Sequence, residues 1–93
     1  MEQMENQKKE QLRNIVATYQ PEIVTLISQK YSVASEDLTV LIDDESGVYL
    51  SQEENETLCA LVLDNNNGYM YLVSAKYNEA EGSLSNFRSD VIA

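Results

Sequence analysis

The chain has 93 residues, with 16 acidic and 6 basic side chains, no histidine, one cysteine and a formal charge of −10. This length allows one small domain with one modest core. Histidine-based acid–base catalysis is excluded, a zinc site has no ligand set, and one cysteine cannot make an intrachain disulfide. A chain this acidic is repelled by nucleic acid and by anionic membranes, so direct contact with either is not expected. No apolar run approaches the ~18–20 residues that span a bilayer. The polar start, Met1 to Glu10, lacks an apolar signal segment, which places the expected compartment in a cytoplasm. Apolar residues make up 43% of the chain, enough to drive a globular fold rather than a disordered acidic tail.

The first thirty residues predict helix. Glu2–Glu10 is charged and expected to fray. Leu12, Ile15, Val16 and Tyr19 have the i, i+3, i+4, i+7 spacing of an apolar stripe. Pro21 interrupts the hydrogen-bond ladder and suits the first turn of a new helix, so residues 11–31 predict a helix pair or one helix kinked at Gln20–Pro21. Ile23, Val24, Ile27 and Tyr31 carry the stripe on. Leu38–Ile42 alternates as a strand should. Asp43 to Gly47 predicts a turn, with Gly47 free to take a positive φ, and Gly47–Ser51 predicts a short second strand. Gln52–Glu56 is a polar loop. Thr57–Asp64 is an apolar strand holding Cys59 as a buried, inert thiol. Asn67-Gly68 is a strong hairpin signal, and Tyr69–Tyr77 predicts the fourth strand. Ser83 caps an expected short helix over residues 83–92, with Leu84, Phe87, Val91 and Ile92 on one face. The expected class is α+β: an N-terminal helix or kinked pair, a four-stranded antiparallel meander over residues 38–77 in the order 1-2-3-4, and a short C-terminal helix, all in one domain.

The charge is unevenly spread. Residues 1–30 are net neutral and residues 76–93 carry −1. Residues 31–75 carry nine acids and no base: Glu36, Asp37, Asp43, Asp44, Glu45, Glu53, Glu54, Glu56 and Asp64. In a meander, Asp43, Asp44, Glu45 and Asp64 would share one end of the sheet, and the other five the opposite end. Acids two apart on an extended segment are ~6.6 Å apart. That spacing falls in the range of neighbouring phosphates, and Arg binds carboxylate and phosphate with the same fork. Solvated acidic loops are the plain alternative, but surfaces shaped for solubility usually mix both signs.

Other motifs fail. Asp64-Asn65-Asn66-Asn67-Gly68 resembles a calcium loop at first, yet a ligand is needed at 68 and a glycine at 69, where Gly68 and Tyr69 stand. Asp43-Asp44-Glu45 lacks the convergence of a cation site, and no paired carboxylates face a cleft. No catalytic residue, metal or cofactor is expected. Tyr69, Tyr71 and Tyr77 share a face of the fourth strand, either as core under the helices or as an aromatic patch beside the acids.

Residues 38–73 resemble small phage-encoded acidic inhibitors, a group that includes the uracil-DNA glycosylase inhibitor and anti-CRISPR proteins. The likeness lies in Asp44-Glu45-Ser46, in Val48-Tyr49-Leu50-Ser51, and in Ala60-Leu61-Val62-Leu63-Asp64 running into Asn67-Gly68. The acidic, apolar segment that the glycosylase inhibitor uses has no counterpart in Ile23–Ser35, so no functional residue is carried over. The resemblance implies a stoichiometric inhibitor that imitates nucleic acid. The expected function is non-enzymatic binding to a basic, nucleic-acid-handling enzyme or effector complex through Asp43, Asp44, Glu45, Glu53, Glu54, Glu56 and Asp64, with Tyr49 or Tyr69 as anchors. The competing expectations are a homodimeric, chaperone-like adaptor that uses Leu58–Leu63 and the helix stripe, and an immunity protein against a basic toxin.

Overall fold

A computed structural model describes residues 2–42, 47–51 and 57–92, with side chains from Lys9 onward. One helix, α1 (Glu2–Tyr31), packs across one face of an antiparallel sheet of β1 (Leu38–Val40), β2 (Val48–Leu50), β3 (Thr57–Asp64), β4 (Met70–Asn78) and β5 (Ser83–Val91).

The helix is one element rather than a pair. It runs from Glu2 through Pro21 to Tyr31. Leu12, Val16, Ile23 and Ile27 are all buried. Val16 and Ile23 are seven residues apart, two turns of a continuous helix, so the stripe keeps its phase across the proline. Pro21 and Ala17 are both exposed. The carbonyl that loses its intrahelical partner to the proline is that of Ala17, on the solvent side. The helix ends at Ser32, with φ 55°, and Val33 N donates to Ser28 O at 3.2 Å in the six-to-one bond of a left-handed C-cap.

The expected meander is corrected in two places. First, β1 and β2 do not pair with each other. Both run antiparallel to β3 along the same side: Leu38–Val40 faces Asp64–Val62, and Val48–Leu50 faces Ala60–Leu58. Leu61, between those two stretches, bonds to both ends of the interruption. Leu41 N donates to its carbonyl at 2.9 Å, and its own N–H donates to Gly47 O at 2.8 Å. The sheet order is therefore β1-β3-β4-β5 with β2 in line with β1. Gly47 is required for space rather than for a positive φ, because a Cβ there would collide with the carbonyl of Leu41.

Second, residues 83–92 do not form a helix. Ser83–Val91 is a fifth strand, paired with β4. A bulge explains the misleading pattern. Ser74 faces Arg88 and Lys76 faces Ser85, so Ala75 stands opposite both Asn86 and Phe87, and Asn86 takes φ 55°. The extra residue shifts the alternation by one. Leu84, Phe87 and Val91 then fall on one sheet face at spacings of three and four, which imitate a helical stripe.

The core lies between α1 and one sheet face. Leu38, Val40, Val48, Leu58, Ala60, Val62, Tyr71, Val73, Ala75, Tyr77 and Leu84 meet the helix there. Tyr71 and Tyr77 are thus core residues, and Tyr19 and Phe87 pack at the rim with ring centroids 5.9 Å apart. Among the described residues, no helix is long and apolar enough to cross a membrane.

Candidate functional site

The pairing register sorts the expected binding residues into separate places. Asp43, Asp44 and Glu45, and likewise Glu53, Glu54 and Glu56, lie outside the described residues. Their attachment points are described. The first segment joins Ile42 to Gly47; Leu41, beside Ile42, and Gly47 itself are both held on Leu61. The second joins Ser51 to Thr57, where Ser51 N donates to Thr57 O at 2.8 Å. Both segments therefore begin or end on β2, three residues long.

Tyr49 is the middle residue of β2 and stands opposite Cys59. Its ring is on the sheet face that the helix does not cover, and it is 41% exposed. Its hydroxyl pKa is raised above 10.0, first by partial burial, then by the charge that the neighbouring Cys59 thiol acquires at high pH and by a hydrogen bond with that thiol. Cys59 itself is buried. On the same open face the register places Leu61 across from Leu72 and Leu63 across from Met70, all half-buried. The tyrosine is a partly apolar, exposed ring between the two acid-bearing segments, the kind of group that anchors interfaces.

Asp64 is removed from the surface set. It is 1% exposed, and its Oδ1 accepts from Asn66 N at 2.9 Å and Asn67 N at 3.4 Å. It holds the β3–β4 turn closed, together with Gly68 N donating to Asp64 O at 2.8 Å; Gly68 takes φ 78° there. Its charge also helps raise the Tyr71 pKa, for which burial is the leading cause. Such a carboxylate is not placed to receive a partner's lysine or arginine.

Tyr69 is 54% exposed, but it lies beyond the end of β3, at the same turn as Asp64. Cys59, the partner of Tyr49, lies five steps along β3 from Asp64, which is ~17 Å on a strand. The grouping of the acids changes accordingly. Glu36 and Asp37 belong with Asp64, because Asn65 N donates to Asp37 O at 2.8 Å. The segment with Asp43, Asp44 and Glu45 leaves midway along β3, and that with Glu53, Glu54 and Glu56 joins the far end. Tyr49 lies on the short strand that joins the attachment points of those two segments, while Tyr69 and Asp64 lie at the other end of β3.

The turn role of Asp64 had a signal in the sequence, because an aspartate followed by asparagines and a glycine favours a side-chain-capped turn. Among the described residues no group of three or more His, Cys, Asp or Glu side chains is arranged to hold a metal. The architecture is an α+β domain with one helix on one face of an antiparallel sheet. Comparison with protein-family models, with curated proteins and with solved structures finds no match for the chain.

Proposed function

We propose that this chain is a small, non-enzymatic acidic inhibitor that binds a basic nucleic-acid-handling protein by imitating nucleic-acid phosphates, in the manner of an anti-CRISPR or DNA-mimic protein of phage. One observation carries the reading. Residues 31–75 hold nine acids and no base, and six of the nine fall in the two segments that meet at β2. A one-signed region raises self-repulsion, which a basic partner relieves. Tyr49 supports the reading as an exposed aromatic anchor between those segments.

The test is displacement of labelled DNA from a purified CRISPR effector nuclease and from an unrelated basic nuclease, followed by fluorescence anisotropy. The chain should displace DNA from a target at low salt and do so more slowly as salt rises, since steering between opposite charges is screened. Reversing Asp43, Asp44 and Glu45, or Glu53, Glu54 and Glu56, to lysine should abolish displacement. Tyr49→Ala should weaken it about tenfold, equivalent to ~1.4 kcal/mol. Displacement that survives both charge reversals sinks the proposal.

A further inference from the structure

The outer side of β5 is the longest open strand edge described. An open edge offers unpaired amides and carbonyls to any added strand. The ladder fixes which groups point outward. Ile92 N donates to Met70 O at 2.9 Å, so the antiparallel alternation turns the backbone groups of Asp90 and Arg88 toward β4 and those of Val91 and Ser89 away from it. The outward carbonyl of Ser89 is already engaged. Lys30, in the last turn of α1, donates from Nζ to that oxygen at 2.9 Å. The neighbouring Tyr31 hydroxyl lies 3.4 Å from Ser89 Oγ, and its ring centroid is 4.6 Å from that of Tyr71. The end of the helix is thus clasped to the edge at one strand position.

That position is special because the edge around it is complementary to itself. Two antiparallel β5 strands with Ser89 opposite Ser89 would exchange both backbone bonds at that residue. The same register puts Arg88 across from Asp90 twice and Phe87 across from Val91 twice. Opposite-charge and aromatic–β-branched cross-strand pairs are each favourable. Val91 is 50% exposed in the single chain and would gain cover. A two-fold axis through Ser89 makes this an isologous contact, and the bulge at Asn86 limits the straight run to the residues that follow it. We infer that β5 is a self-complementary edge for a second copy of this chain, and that Lys30 holds it closed by engaging the Ser89 carbonyl.

Each copy carries −10, so the measurement belongs at roughly 0.5–1 M salt, where screening shortens the reach of charge repulsion to about 3–4 Å. Lys30→Met keeps the aliphatic stem and removes the donor, whereas Lys30→Arg keeps a donor. In sedimentation velocity the wild type and Lys30→Arg should run as monomers and Lys30→Met at twice the mass. Adding Val91→Pro, which removes an amide facing away from β4, should return Lys30→Met to monomer. A monomeric Lys30→Met, a wild type that dimerises as readily, or a dimer that survives Val91→Pro overturns the inference. A second arm needs no variant to fold. A synthetic peptide of residues 83–92, titrated into the isotope-labelled wild type, should leave the β5 amides unshifted, and shifts along β5 would overturn the guarding role. Where Lys30→Met folds, it should bind that peptide at least tenfold more tightly than the wild type.

Discussion

Gly47→Ala isolates the most constrained point of the sheet edge. The added Cβ meets the backbone of Leu41, and backbone cannot swing aside as the end of a side chain can. Relief requires moving Leu41 or Gly47, and those two residues supply both hydrogen bonds of Leu61. Loss or distortion of two backbone bonds costs about 1 kcal/mol each. The steric misfit adds about 1–3 kcal/mol, so the expected loss is about 3–5 kcal/mol. At about 4–8 °C per kcal/mol for a domain of this size, the melting temperature should fall by at least about 10 °C. Urea titration gives the free-energy loss and thermal melts by circular dichroism give the shift in melting temperature. Gly68→Ala is the control. Gly68 has φ 78° and nothing within 4 Å of an added Cβ, so it carries only the left-handed backbone cost of about 1–2 kcal/mol. If Gly47→Ala costs less than Gly68→Ala, the close approach of the two edge segments is not what holds them in line.

Three further outcomes follow from the packing. Ile27 is fully buried on the helix stripe, and Ile27→Ala should cost about 2–5 kcal/mol in urea unfolding. Asp64→Ala removes two charge-assisted turn bonds and should cost about 2 kcal/mol, while leaving displacement of DNA from the target unchanged if the buried carboxylate takes no part in binding. Tyr71 is 1% exposed and its hydroxyl pKa is raised above 10.0. The folded chain therefore holds that proton to higher pH than the unfolded chain, and stability present below pH 10.0 is lost as pH rises from there through the folded value. The urea midpoint of the wild type should fall between pH 9 and pH 11 more steeply than that of Tyr71→Phe, and equal slopes would remove Tyr71 as the source.

Elements with an intact period are legible in the sequence. Leu12, Val16, Ile23 and Ile27 mark one helix face, and that face stays in phase across Pro21, whose local rule suggested a break. The unbroken apolar run from Leu58 to Leu63 identifies β3. The errors arise where one extra or missing residue shifts a period. Asn86 adds a residue to β5 and turns a strand into an apparent helix. The acids before Gly47 look like a hairpin turn, because a sequence cannot show that the chain rejoins the same side of β3. Charge alone groups Asp64 with the eight other acids of residues 31–75, although the asparagines and glycine that follow it mark a side-chain-capped turn; its burial beside Tyr71 has no local signal. The Lys30–Ser89 clasp spans 59 residues and has no local signal at all.

The two hydrogen bonds to Leu61 also make the sheet indifferent to what is spliced between Ile42 and Gly47. The two ends are fixed in register by one residue of β3, so lengthening the intervening segment leaves every ladder pairing where it is. Doubling such a loop costs only about 0.6 kcal/mol in closure entropy. The edge is thus a mounting point, where the intervening sequence can be exchanged or extended while the scaffold that carries it stays the same.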